Sequence, residues 1–304
     1  MMRCISAALL AAVCLLTGCG QKTQEPAPSQ EPSPVVSPTP SVAPTPTPEP
    51  TPEPTPEPTP EPEPVVVLVS KDTGSPVEIV VPNRHPVEEG LPLSGALICI
   101  DPGHGVTPLV TKGYTEVISP LSSQRKASYA TGTRGKYGTE EALNLKVGLA
   151  LRDRLEALGA AVVMTRQTTE ATLTNIERCD VANKSGADVS IRIHADGSNS
   201  SSAHGVSVLV PAGDLLGTPS IRAESVRLGK LMVNEVAQRT GAKNLGTIDR
   251  TDLTGFNHSQ VPIVLIEMGF MTNAEEDAKL ATDEYQSQII DGMVSSILTW
   301  YGKS

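Results

Sequence analysis

Residues 96–304 predict an α/β fold: a single domain with a mostly parallel twisted sheet and helices on both faces. Two observations carry this expectation. Short apolar runs alternate along the chain with segments of helical periodicity. The runs are also nearly continuous in apolar residues, as strands covered on both faces must be.

The elements follow in order. Residues 1–19 (MMRCISAALLAAVCLLTGC) open with Arg3 and continue as an apolar run from Cys4 to Leu16. That run is too short to span a bilayer comfortably and ends in small residues, the pattern of a secretory signal. Its close, Leu16-Thr17-Gly18-Cys19, resembles a bacterial lipobox, which makes Cys19 the expected lipidation site. Each buried CH2 of an acyl chain contributes roughly 0.8 kcal/mol, so several chains give stable membrane attachment. Residues 20–64 form a linker. Seventeen of the chain's 27 prolines lie in 25–64, and 47–62 repeats Thr-Pro-Glu-Pro four times. Alternate prolines exclude helix and central strand and favour extended polyproline II. At about 3.1 Å per residue such a stalk reaches on the order of 100 Å. Residues 65–95 are a lead-in with two β-branched runs, suited to a small hairpin or to no fixed structure.

From residue 96 the alternation is clear. Ala96–Asp101 reads as a strand ending at Pro102-Gly103-His104-Gly105, and a long polar loop is expected over about 105–139. Leu143, Val147, Leu151, Leu155 and Leu158 recur at helical spacing, with Gly159 as the expected C-cap. Ala160–Thr165 is the next strand. Thr174 and Glu177 form a capping box for a helix to about Lys184. Strands are expected at Asp188–His194, at Gly205–Val210 on an edge, and at Pro262–Glu267. Further helices are expected at about Ile221–Thr240 and Glu284–Tyr301.

The charge of −10 belongs mostly to residues 25–64, which hold seven Glu and no Lys or Arg. With 3% aromatics and no clustered positive charge, nucleic acid is not an expected partner. Cys99 and Cys179 read as two buried free thiols.

Ligands of parallel sheets bind beyond the carboxyl ends of the strands. His104 follows the first strand, His194 ends the third and Glu267 the fifth, while Glu140 starts the helix that begins at the same edge. Two histidines and a carboxylate suit a catalytic zinc site with a position left for water or substrate. A further carboxylate can move the proton from water to a leaving amine. The gaps of 36 and 54 residues between His104, Glu140 and His194 match no compact ligand motif, so spacing alone leaves the metal reading open.

IDPGHG at 100–105, TEEALNL at 139–145, SIRIHADG at 190–197 and PIVLIEMGFMTN at 262–273 resemble the zinc-dependent N-acetylmuramoyl-L-alanine amidases of the amidase-3 type. GAAVVMTR at 159–166, Arg178 and Ala182-Asn183 extend the resemblance over about 96–302, in the family's order. It implies a phosphorylase/hydrolase-like fold, zinc held by His104, Glu140 and His194, and Glu267 as the catalytic carboxylate. The family's Glu stands four residues before the Asn of an Asn-Leu pair, so Asn144 selects Glu140. Glu141 then reads as a first-turn acid facing the helix dipole.

The implied function is hydrolysis of the amide between N-acetylmuramic acid and L-alanine in peptidoglycan. The alternatives are a non-catalytic wall-binding module and a zinc peptidase acting on another peptidoglycan amide. The expected protein is an exported monomer, lipid-anchored through Cys19 to a bacterial membrane and facing the cell wall. Arg125, Lys126, Arg134 and Lys136 could rim the cleft for stem-peptide carboxylates or simply lie on a solvated loop. Asn257 is a further candidate substrate contact. Asp101 and Asp196 could orient the imidazoles or cap loops. His204 and His258 read as surface or loop histidines, and Ser123-x-x-Lys126 as a chance match to a serine-enzyme motif.

Overall fold

The computed structural model describes residues 65–70, 76–106, 113–170 and 173–303. The expected signal segment, Cys19 and the linker lie outside the described residues. The lead-in contains an antiparallel hairpin, β1 (Val65–Ser70) with β2 (Pro76–Val81), in register from Val65↔Val81 to Ser70↔Pro76.

The main sheet has six strands. β3 (Leu97–Pro102) pairs in parallel with β6 (Ala161–Met164) and β7 (Val189–Asp196), and β7 with β10 (Ile263–Phe270). β8 (Val206–Pro211) runs antiparallel to β10, and β9 (Asn244–Arg250) pairs in parallel with β8. The spatial order is β6-β3-β7-β10-β8-β9. The mostly parallel α/β expectation therefore holds, with one correction. β8 is not an edge strand, because β9 lies outside it. β9 (NLGTIDR) is part-buried, with polar residues and Gly246 around its apolar Leu245 and Ile248, so it lacks an apolar run. A second correction concerns the loop expected at 105–139. It contains the hairpin of β4 (Thr115–Ser119) and β5 (Ser122–Ala127). The polar sequence SSQRKA of β5, largely exposed, hides a strand from a hydrophobicity pattern.

The period-2 alternation of side chains sorts the strands onto two faces. Ile98, Ile100, Val162, Ile191, Ile193, Val264 and Ile266 point to one core. There they meet α1 (Glu140–Glu156), α3 (Arg222–Thr240) and α6 (Asp283–Trp300) through Val147, Leu151, Leu228, Met232, Ile289 and Met293, all fully buried. Removing one such side chain typically costs about 2–5 kcal/mol, part of it for the cavity left behind. The other face meets α2 (Asn175–Ser185) through Leu97, Cys99, Val163 and Val181. It meets the short α4 (Thr254–His258) through Leu209, Phe256 and Leu265. Val81 and Leu93 are buried in these cores, so packing starts before residue 96. α5 (Ala274–Leu280) links β10 to α6.

Helix ends follow local chemistry. Thr174 and Glu177 form the expected capping box, with Glu177 N donating to Thr174 Oγ1 at 3.2 Å and Thr174 N to Glu177 Oε2 at 2.8 Å. α1 ends at Glu156 with Ala157 as its cap, and the expected capping glycine, Gly159, turns the chain two residues later at φ 92°. Cys99 and Cys179 are free and buried, and burial pushes the Cys179 thiol up to about 12.

Candidate metal centre

The second face of the sheet carries its charged and imidazole side chains toward its carboxyl edge. Ser190, Arg192 and His194 of β7 alternate onto that face, as do Asp101 of β3 and Glu267 of β10. Register sets Asp101 beside Arg192 and Glu267 beside His194.

Beyond β3 the chain leaves the sheet through Gly103 and His104. His104 has φ 58°, a left-handed conformation that a residue with a side chain adopts at a cost of about 1–3 kcal/mol. Two buried arginines hold it there. Arg166 donates to the carbonyls of Pro102 and Gly103 at 2.9 and 2.8 Å. Arg178 donates to Pro102 O at 3.0 Å and to His104 O at 2.5 Å. Asp101 anchors Arg178 and Arg192 at 2.7 Å each and accepts from Thr165 Oγ1 at 2.6 Å. Burial alone would raise the Asp101 carboxyl, but the two guanidinium charges outweigh it and hold it below the usual range.

Glu140 opens α1. Its amide donates to Thr133 O, and its Oε2 accepts from Thr133 N at 2.7 Å. Its Oε1 lies 3.1 Å from His104 Nε2, 3.0 Å from His194 Nδ1 and 3.3 Å from Asn144 Nδ2. Burial opposes ionisation of Glu140, yet the two imidazole contacts prevail and hold its pKa low. Burial lowers His194 to about 4, against the pull of Glu140, which keeps its ring neutral at pH 7.

The donor atoms of His104, Glu140 and His194 all lie within 4.8 Å of one another. His104 Nδ1 is 2.8 Å from Ala130 O, which can only accept, so Nδ1 carries a proton and Nε2 is the ring nitrogen that faces Glu140 Oε1. A metal ion bound there would take Nε2 and the Glu140 carboxylate as donors. His194 Nε2 is buried with no hydrogen-bond partner. Two imidazoles, one with an orphaned ring nitrogen, and a carboxylate fit a divalent metal of the nitrogen- and oxygen-binding class.

Glu267 stands beside this group. Its Oε2 is shielded and unpartnered. Burial, with the neighbouring charges of Asp196 and Glu140, pushes its carboxyl well above the usual carboxylate range. A cleft of about 300 Å³ opens in front of it, lined also by His104, His194, Lys126, Tyr129 and Arg250.

The four residues expected at the edge thus come together. Others do not. Asn257 is fully buried, and its amide donates to Ile118 O and Thr251 O at 3.0 and 3.2 Å, so it ties elements together away from the cleft lining. Arg134 is exposed and outside that lining. Arg125 is held by Thr115, and Lys136 lies over the Tyr137 ring. Of the four basic residues considered for the rim, only Lys126 lines the cleft. Asp101 holds arginines rather than imidazoles, and Asp196 Oδ1 accepts from Gly197 N. Glu141, half-buried, is outside the ligand group, as are His204 and His258, whose rings contact Ser202 O and Val117 O. Sequence reasoning missed the Ala130 carbonyl, Arg166 and Arg250. A backbone acceptor carries no residue signature, and Arg250 sits on the unrecognised β9.

Known proteins are similar to this chain across the sheet. The profile of the N-acetylmuramoyl-L-alanine amidase family matches residues 98–299. An N-acetylmuramoyl-L-alanine amidase of Mycobacterium tuberculosis is 25% identical over 209 residues, 67% of this chain and 86% of that protein. The amidase LytC of Bacillus subtilis is 28% identical over 214 residues, 69% of this chain and 36% of that one. The crystal structure of the amidase Ami1 from Mycobacterium smegmatis superposes with a TM-score of 0.63 at 26% identity, covering 70% of this chain and 99% of that one.

Proposed function

The chain belongs to the N-acetylmuramoyl-L-alanine amidase family, and on that premise we propose that it is a zinc-dependent hydrolase of the amide joining N-acetylmuramic acid to L-alanine in peptidoglycan. One observation carries the reading: His104, Glu140 and His194 converge within 4.8 Å beside an unpartnered Glu267. His104, Glu140 and His194 would hold the zinc. A bound zinc polarises a carbonyl oxygen and lowers the pKa of water to about 7.

The chain's own residues do the rest. Glu267 takes the proton of the attacking water and delivers it to the alanine nitrogen as the C–N bond breaks, leaving a lactyl carboxylate and a free amine. Its dry, negatively flanked site raises its proton affinity, which suits it to hold that proton between the two transfers. His194, neutral at pH 7, keeps a lone pair for the metal. Arg166 and Arg178 hold His104 in its left-handed conformation, so the ligand need not be organised on binding.

Product analysis of digested peptidoglycan tests the reading. Free lactyl carboxylates, lost on chelation, are the expected products, whereas cut cross-links would mark a peptidase. Glu267→Gln should retain zinc and lose activity by about 100-fold or more. Full turnover in that variant would remove Glu267 from the mechanism.

The leader and stalk complete the proposal. The protein is an exported monomer, lipidated at Cys19 and held by residues 20–64 at a distance from its membrane, facing the wall. Cys19→Ala should move the protein from the membrane fraction to the soluble fraction. Retention in the membrane would place the tether elsewhere.

A further inference from the structure

The cleft holds two cations that this hydrolysis does not use. Lys126 of β5 and Arg250 at the end of β9 both line it, together with Glu267. They come from distant parts of the sequence and meet through one residue. Asp252 O accepts from Lys126 Nζ at 2.7 Å, and the Asp252 carboxylate accepts from Arg250 Nε and Nη2 at 2.9 and 3.1 Å. Asp252 thus binds Arg250 through its carboxylate and Lys126 through its backbone carbonyl. Arg250 Nη1 and the remaining Nζ protons make no hydrogen bond among the described residues, and all of them are donors. Arg192, the third cation of the lining, differs: it is buried and paired with Asp101 at 2.7 Å. Arg250 is 35% exposed and so remains accessible to a ligand. Its charge also reaches Glu267 and Asp196, which sets the pair within electrostatic range of the proposed reaction centre.

Donors without acceptors, next to a carboxylate-handling centre, suit an anionic ligand group. In a muramoyl peptide the sugar side of the scissile amide is neutral, since the lactyl carboxyl is consumed in that amide. Free carboxylates lie on the peptide side. We propose that Lys126 and Arg250 form a subsite for a peptide carboxylate of the substrate, making the enzyme prefer a free carboxylate to its carboxamide. This rests on the amidase reading above.

The test uses two synthetic muramoyl-L-alanyl peptides that differ only in whether the peptide carboxylate is free or amidated. For the wild-type protein, kcat/KM should favour the free acid by about fivefold or more, chiefly through KM, and the preference should shrink with added salt. In Lys126→Met/Arg250→Met the ratio should fall to near one. Asp252 is exposed, so its loss of partners leaves no buried charge, and circular dichroism checks the fold. Absence of a preference in the wild type, or an undiminished preference in the double variant, overturns the subsite. Cleavage of neither peptide by the wild type would overturn the amidase reading instead. The subsite is then judged by equilibrium binding of the two peptides: tighter binding of the acid that the double variant loses supports it, and equal binding refutes it.

Discussion

Gly103 has no side chain, and His194 occupies the space one would fill. A Cβ on Gly103 would lie 2.2 Å from His194 Cε1, far inside contact distance. The ring is fixed on its other side by Glu140, at 3.0 Å from Nδ1, so it cannot yield without breaking the ligand group. Gly103→Ala should therefore lose stoichiometric zinc, measured by metal analysis of purified protein, while far-ultraviolet circular dichroism stays close to wild type. Zinc retained at one per chain would mean that the loop yields instead. The identities of His104, Glu140, His194 and Glu267 were legible in the sequence, because each lies in a motif at a strand or helix end. Their conformations were not. The left-handed backbone of His104 depends on Arg166 and Arg178, whose side chains reach across about 60 and 75 residues of sequence.

Helices α3 and α6 meet where Gly292 faces Val236. A Cβ on Gly292 would lie 2.7 Å from Val236 Cα and 2.8 Å from its N. Alanine would favour the helix by about 1 kcal/mol through propensity. The clash is with backbone, though, and must push two packed helices apart, at a cost of about 1–3 kcal/mol or more. The clash should win. Gly292→Ala should lower Tm by several degrees, at about 2–4 °C per kcal/mol for a domain of this size. An unchanged or raised Tm would show that the helices separate freely. Elements with strong apolar periods, such as α1, β3 and β10, were legible for the same reason that they pack here: β3 and β10 alternate between two covered faces, and α1 buries one stripe at helical spacing. β9 and the β4–β5 hairpin were not. β5 is largely exposed, β9 is part-buried, and β4 buries Glu116 and Ser119 beside Ile118, so these mainly polar strands, held by backbone ladders, leave no hydrophobic pattern to read.

Asp188 joins three distant parts of the folded chain. It accepts two hydrogen bonds from Arg84 of the lead-in, at 2.6 and 2.9 Å, one from Leu97 N at 2.9 Å and one from Tyr301 OH at 3.0 Å. Arg84 also donates to Gly95 O and Gly186 O. Burial opposes the charge on Asp188, but the Arg84 and Leu97 hydrogen bonds prevail and depress its pKa. A depressed carboxyl contributes stability that is fully present above its unfolded value, about 3.9, and is lost as pH falls through the lower folded value. Asp188→Asn should therefore lower the urea midpoint at pH 7, and the gap to wild type should narrow below about pH 4. A gap that stays constant with pH would remove the carboxylate charge from the account. The lead-in is thus part of the folded unit, although its sequence suggested only a hairpin or a loose segment. By itself the sequence determined what is written in local order: apolar alternation, a capping box and chemistry-bearing residues at element ends. Tertiary structure alone decided which atoms face one another. The orphaned nitrogen of His194, the arginines behind His104 and the Lys126–Arg250 pair arise from contacts between residues far apart in the chain, and no local pattern encodes them.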